Sequence, residues 1–109
     1  MAPSGMTAWI DVAPAADIAS GSWRTVDAGD VEIVVVNVDG RFYAVEDQCT
    51  HDGGNLAGGR VEGCEIICPR HGARFDLRTG DVTAPPAYEP IETFPVRVSD
   101  GMVQIQIPG

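Results

Sequence analysis

The 109-residue chain has little of what would tie it to a membrane, a secretory route or nucleic acid. It has no long hydrophobic run. The longest, Ile33 to Val36, is strand-sized and far short of the ~20 apolar residues that a bilayer-spanning helix needs. The start, Met1 to Trp9, has neither the positively charged segment nor the apolar stretch of a secretory leader. A cytoplasmic protein without membrane attachment is therefore expected. Cysteine is scarce, three in all, and the odd number disfavours a disulfide framework. Cysteines in such a setting serve as metal ligands, redox groups or small buried apolar residues. Positive charge is also scarce: seven Lys and Arg stand against sixteen Asp and Glu, a formal net charge of −9. Nucleic acid and anionic membranes would repel such a chain, whereas a basic partner surface would attract it. The same charge also serves plain solubility. There are no heptads, repeats or long amphipathic helix, and no Gly-rich nucleotide-binding motif beside a strand and a helix.

What is present suits one domain, 1–109. A hydrophobic fraction of 44% permits a modest core, and chains this small often gain from a metal or a disulfide. Short runs rich in Val and Ile are cut by thirteen Gly, eight Pro and many Asp, the pattern of an all-β protein. Strands are expected at Trp9–Val12, Trp23–Asp27, Val31–Val38, Arg41–Val45, Glu65–Ile67, Arg74–Asp76, Phe94–Val98 and Val103–Ile107. Asp39-Gly40 and Asp100-Gly101 have the composition of two-residue hairpin turns, because Gly accepts positive φ. Pro14 to Ala19 has room for one short helical turn. Pro95 cannot donate a ladder hydrogen bond, so its strand should lie at an edge or bulge there. Glu46 to Gly59 and Ala84 to Ala87 read as loops, and a long irregular loop in a small domain is often functional.

The soft ligands are concentrated in two segments, Cys49-Thr50-His51 and Cys68-Pro69-Arg70-His71. Sixteen residues, Asp52 to Ile67, lie between them. Both histidines of the chain and two of its three cysteines are here, and glycines follow each pair: Gly53-Gly54 and Gly72. Glycine lets the backbone approach a cluster closely. Two thiolates and two imidazoles would suit tetrahedral zinc. Zinc fingers, however, usually pair Cys with Cys and His with His, whereas each arm here mixes the two. A catalytic Cys–His pair does not explain why the arrangement occurs twice. Buried Cys and His without a metal would not explain why every histidine falls in a Gly-flanked loop. Cys64 has no partner at ligand spacing and reads as a non-ligand near a hairpin turn. Asp52, next to His51, reads as a loop solvator, and Trp9 and Trp23 as packing residues.

C-x-H, a spacer of sixteen and C-x-x-H together resemble the Rieske signature, in which two thiolates hold one iron and two imidazoles the other. The resemblance extends over Trp9, Cys49-Thr50-His51, Cys68-Pro69-Arg70-His71-Gly72, Phe75-Asp76, Thr79-Gly80 and Pro85-Pro86. It implies an antiparallel β-sandwich with a small cluster-binding subdomain, its loops within about 46–90. It also implies one 2Fe-2S cluster held by Cys49 and Cys68 on one iron and His51 and His71 on the other. The Pro85-Pro86 loop would cover the cluster, with the imidazole edges at the protein tip.

Within that likeness, the chain is most similar to Rieske ferredoxins of bacterial multicomponent aromatic-ring dioxygenases. Respiratory Rieske proteins carry an extra cysteine in each loop, and those places are Gly54 and Arg70 here. They also carry two hydroxyls near the cluster, where this chain has Ala73 and Phe75. Hydrogen-bond donors stabilise the reduced cluster, so their loss lowers the potential, and sixteen acidic side chains act in the same direction. A potential near the low end of the Rieske range, about −150 mV, is expected. The resemblance implies a monomeric one-electron carrier, not an enzyme by itself. It would take electrons from an NAD(P)H-dependent flavin reductase and pass them to a terminal Rieske oxygenase. Other roles for the same fold are a Rieske ferredoxin serving another pathway, such as iron–sulfur assembly, and a nitrite reductase small-subunit-like protein. The latter commonly lacks the ligands kept here.

Overall fold

The computed structural model describes residues 9–29, 31–49, 54–69 and 72–107. Among these residues the strands are β1 (Trp9–Pro14), β2 (Trp23–Ala28), β3 (Val31–Val38), β4 (Arg41–Glu46), β5 (Val61–Glu62), β6 (Glu65–Ile67), β7 (Arg74–Asp76), β8 (Val82–Ala84), β9 (Thr93–Phe94), β10 (Val96–Ser99) and β11 (Met102–Gln106). They form three sheets, ordered β1-β11-β10, β2-β3-β4-β9 and β5-β6-β7-β8. Every pairing is antiparallel. The all-β expectation holds. A single 3₁₀ turn, Ala15–Asp17, occupies the place where a short helical turn was expected.

The run Ile33 to Val36 organises the molecule. All four side chains are fully buried, so β3 has apolar neighbours on both faces. Successive strand residues point to opposite faces. Val34 and Val36 join a core with Val45, Leu56, Phe75 and the two cysteines Cys49 and Cys68. Ile33 and Val35 join a second core with Ala44, Phe94, Val103 and Ile105. The middle sheet thus has the β1-β11-β10 sheet on one face and the β5-β6-β7-β8 unit on the other. A continuous apolar run, instead of alternation with polar residues, is what such a doubly covered strand requires.

Turn chemistry fixes the registers. Asp39 and Gly40 have φ of 52° and 90°, and they join Val38 to Arg41. Asp100 and Gly101, at 51° and 78°, join Ser99 to Met102. Positive φ at both central residues is the primed turn whose twist matches antiparallel strands.

Four expectations need correction. The strand expected over Phe94–Val98 is two strands, split at Pro95: β9 pairs with β4, and β10 pairs with β11. Pro95 offers no N–H to either ladder, and its carbonyl accepts from the Gln106 N–H at 3.0 Å where the chain changes sheet. Both pieces are edge strands. β5 and β8 were not expected, being two and three residues long and too short to display a period. Ala84, expected in a loop, pairs with Arg74. Glu46 ends β4 opposite Ile33 instead of opening the long loop. Strand ends elsewhere differ by one or two residues. Among the described residues no helix is long and apolar enough to cross a membrane.

Candidate metal centre

Two loops carry the predicted ligands. The first runs from the end of β4 to β5, and the second links β6 to β7. Each loop is pinched by one main-chain bond. The Cys49 N–H donates to the Gly54 carbonyl at 2.7 Å, and the Cys68 N–H donates to the Ala73 carbonyl at 2.7 Å. Each bond joins a cysteine to the fifth residue after it. The Gly72 N–H adds a bond of 3.1 Å to the Cys68 carbonyl, and Gly72 has φ of 79°, a turn that glycine adopts without strain. The remaining predicted ligands, His51 and His71, lie outside the described residues, as do Asp52 and Arg70.

Cys49 and Cys68 are both buried and belong to one apolar cluster, though they come from different loops. Neither is in a disulfide. Two buried thiols, one from each loop and lined by Leu56, Ala73, Phe75, Leu77, Ala87 and Ile91, form a donor set that fits thiolate ligation of a soft metal centre. Cys64 is elsewhere. It sits half-buried in the Gly63-Cys64 turn between β5 and β6, outside that cluster, and its carbonyl accepts from the Leu77 N–H at 2.7 Å. Ala73 and Phe75, the two positions noted above for carrying no hydroxyl, are fully buried in the cysteine cluster. Their side chains have no hydroxyl to offer.

The loop after β8 packs on the same cluster. Its Pro85-Pro86 peptide bond is cis. Ala87, which follows, is buried among the cysteines' neighbours, while Tyr88 is 87% exposed. The loop thus seals the core with a small residue and turns an aromatic ring to solvent.

Charge around the β5-β6-β7-β8 sheet is paired. Arg74 meets Glu62 and Glu65 at 3.2 Å each, Arg60 meets Glu62 at 2.9 Å, and Arg78 meets Asp76 at 2.9 Å. A hydrogen bond from the Thr83 side chain, then the Arg74 guanidinium, hold the Glu65 carboxyl below its ordinary range. The Arg78 side chain, and then its backbone N–H, lower Asp76. These bonds lace β5, β6, β7 and β8 together around the second loop.

Sequence reasoning missed Asp47. It is buried in the first loop, where its carboxylate accepts the backbone N–H groups of Leu56 and Ala57. The available signal was an acidic residue two places before a candidate ligand cysteine in a Gly-rich segment. It missed Gly59 as well, whose role depends on a contact with β6.

Residues 8–95 match the family model of the Rieske [2Fe-2S] domain. The chain is 36% identical over 99 residues to the ferredoxin component of the naphthalene 1,2-dioxygenase/salicylate 5-hydroxylase systems of Ralstonia sp, covering 91% of this chain and 95% of that one. It is 38% identical over 96 residues to the 3-phenylpropionate/cinnamic acid dioxygenase ferredoxin subunit of Escherichia coli (strain K12), covering 87% and 90%. A solved complex of reduced oxygenase and oxidized ferredoxin in carbazole 1,9a-dioxygenase contains a chain that superposes with a TM-score of 0.85 at 37% identity, covering 89% of this chain and 91% of that one. The chain belongs to the Rieske [2Fe-2S] family. It is a protein of the ferredoxin kind, an electron carrier with one Rieske-type 2Fe-2S cluster, and not a catalytic enzyme.

Proposed function

We propose that Cys49 and Cys68 hold one iron of the cluster and His51 and His71 the other, in a single domain spanning 1–109 with its binding loops within about 46–90. The observation that carries this reading is the matched pair of pinched loops, each opening on a buried cysteine and both cysteines sharing one apolar cluster. In a Rieske centre each loop gives one thiolate and one imidazole, which is what C-x-H and C-x-x-H supply. When bound, the cluster accepts and returns one electron. The chain's own residues set how readily it does so. Ala73 and Phe75 bring no hydroxyl to a thiolate or sulfide, and the net charge of −9 disfavours a further negative charge. Both support a low potential, near −150 mV on the Rieske scale of about −150 to +300 mV.

The carrier takes electrons from an NAD(P)H-dependent flavin reductase and delivers them to a terminal aromatic-ring dioxygenase, as a monomer in the cytoplasm. The relatives' names support the oxygenase side of this assignment, since those proteins are ferredoxin components of dioxygenase systems. The exposed Tyr88 and the Pro85-Pro86 loop give a contact surface next to the cluster core, and the net charge of −9 favours a basic partner. The test is reconstitution. With a flavin reductase, NADH and an aromatic-ring dioxygenase, product formation should depend on adding this protein. Reduction by the reductase without any transfer to dioxygenases would overturn the oxygenase assignment.

A further inference from the structure

Asp47 is 5% exposed, and carboxylates are rarely so buried unless they are paired. Its partners are neutral donors. Oδ1 accepts the N–H of Leu56 at 2.7 Å and of Ala57 at 2.8 Å, and Oδ2 accepts Nδ2 of Asn55 at 2.9 Å. Among the described residues no cation pairs with it. Its solvation is thus replaced by N–H dipoles.

The bonds made by Asp47 hold both ends of the first ligand loop. Its own N–H donates to the Glu32 carbonyl on β3 at 2.8 Å, which anchors the entry of the first loop to the middle sheet. Its carboxylate grips the exit of that loop, at Leu56 and Ala57. Leu56 packs in the cluster that contains both cysteines, and its carbonyl accepts the Gly59 N–H at 2.9 Å. The next residue, Arg60, accepts the Ile67 N–H at 2.9 Å, and Ile67 immediately precedes Cys68. A short chain of bonds therefore runs from Asp47 to the start of the second loop.

We propose that Asp47 is a positioning residue of the cluster, fixing the first ligand loop against the second and placing a buried carboxylate two residues before Cys49. The inference rests on the ligand set proposed above. It adds a residue that binds no iron. A buried negative charge opposes the negative charge gained on reduction, and low internal dielectric lets it act over more than contact distance. Asp47→Asn keeps the shape and an oxygen for the Leu56 and Ala57 N–H groups, but removes the charge and turns an amide toward Asn55. Asp47→Glu keeps the charge but lengthens the side chain and displaces residues 55–57.

Anaerobic redox titration and electron paramagnetic resonance of the reduced holoprotein test this, with Asp27→Asn, an exposed site on β2, as the charge control. The midpoint of Asp47→Asn should shift positive by clearly more than that of Asp27→Asn. A shift no larger than the control's would overturn the proposal. If Asp47→Asn does not load the cluster, Asp47→Glu decides. Altered g-values in that variant support the proposal, and g-values identical to the parent's overturn it. A parent protein without the two-iron signal would bring down the ligand reading first; a normal parent signal with unmoved variants brings down this inference alone.

Discussion

Gly59 lies so close to the carbonyl oxygen of Ile67 that a Cβ on the glycine has no place to go. The obstacle is backbone, since the Leu56 carbonyl crowds the same position, so no side-chain rotation can relieve it. This contact sets the exit of the loop that holds Cys49 on the strand that leads to Cys68. Gly59→Ala should therefore destabilise the fold by about 1–3 kcal/mol, the usual cost of forcing atoms into a packed interior. Urea denaturation followed by circular dichroism measures it. An unchanged midpoint would mean that the loop and β6 are not held in this contact.

Ala73 and Phe75 predict the direction of a change in potential. Ala73→Ser with Phe75→Tyr introduces two hydroxyls into the wall of the cysteine cluster. Donors to the cluster's sulfurs stabilise the reduced form, so the midpoint should rise from near −150 mV toward the positive half of the Rieske range, about −150 to +300 mV. Protein-film voltammetry of parent and variant reads this directly. A midpoint that falls, or a parent midpoint that is already clearly positive near neutral pH, would contradict it.

Acid sensitivity follows from Asp76. Its folded-state pKa is below its ordinary value of 3.8, mainly through the Arg78 side chain. A carboxyl with a depressed folded pKa adds stability that is fully present above the unfolded value and is lost as pH falls through the folded one. Arg78→Gln should lower stability near pH 7 only slightly, because the arginine is largely exposed and screened. The gap between parent and variant should close as pH drops below the ordinary Asp range. Thermal melts across an acid series check this; a gap that widens toward low pH would have the wrong sign.

A net charge of −9 makes the encounter with a basic partner depend on salt. The second-order rate of electron transfer to the oxygenase should fall as ionic strength rises, while the midpoint stays nearly constant. Tyr88→Ala should also slow transfer without moving the midpoint, since the ring is exposed to solvent. Stopped-flow traces at several salt concentrations separate the two effects. A rate indifferent to both salt and Tyr88 would relocate the docking surface.

The fold was legible where local chemistry and global packing agree. Val31–Val38 combines β-branched residues with an Asp-Gly turn, and both its limits match the observed strand. Its burial on two faces is implied by Ile33 to Val36, although the run does not say which core receives each face. β5 and β8 escaped because two or three residues held by sheet neighbours need no pattern of their own. Pro95 was legible as an edge residue, yet the change of sheet there depends on a partner distant in sequence, Ala44, which pairs with Phe94 just before it. In the candidate site, Cys49 and Cys68 were legible from their spacing, and the structure brings them into one cluster. Asp47 was not, because sequence does not distinguish a solvated loop acid from one whose oxygens are filled by Asn55, Leu56 and Ala57. His51 and His71 lie outside the described residues, so their ligation remains a proposal carried by the motif.

Iron and acid-labile sulfide analysis together with the visible spectrum, on the parent and on His71→Ala, tests the proposed four-ligand centre most directly. The parent should be red-brown with two irons and two sulfides per chain, as the Rieske cluster requires, and the variant should lose that spectrum. A colourless parent holding zinc, or a variant whose spectrum is unchanged, would contradict it.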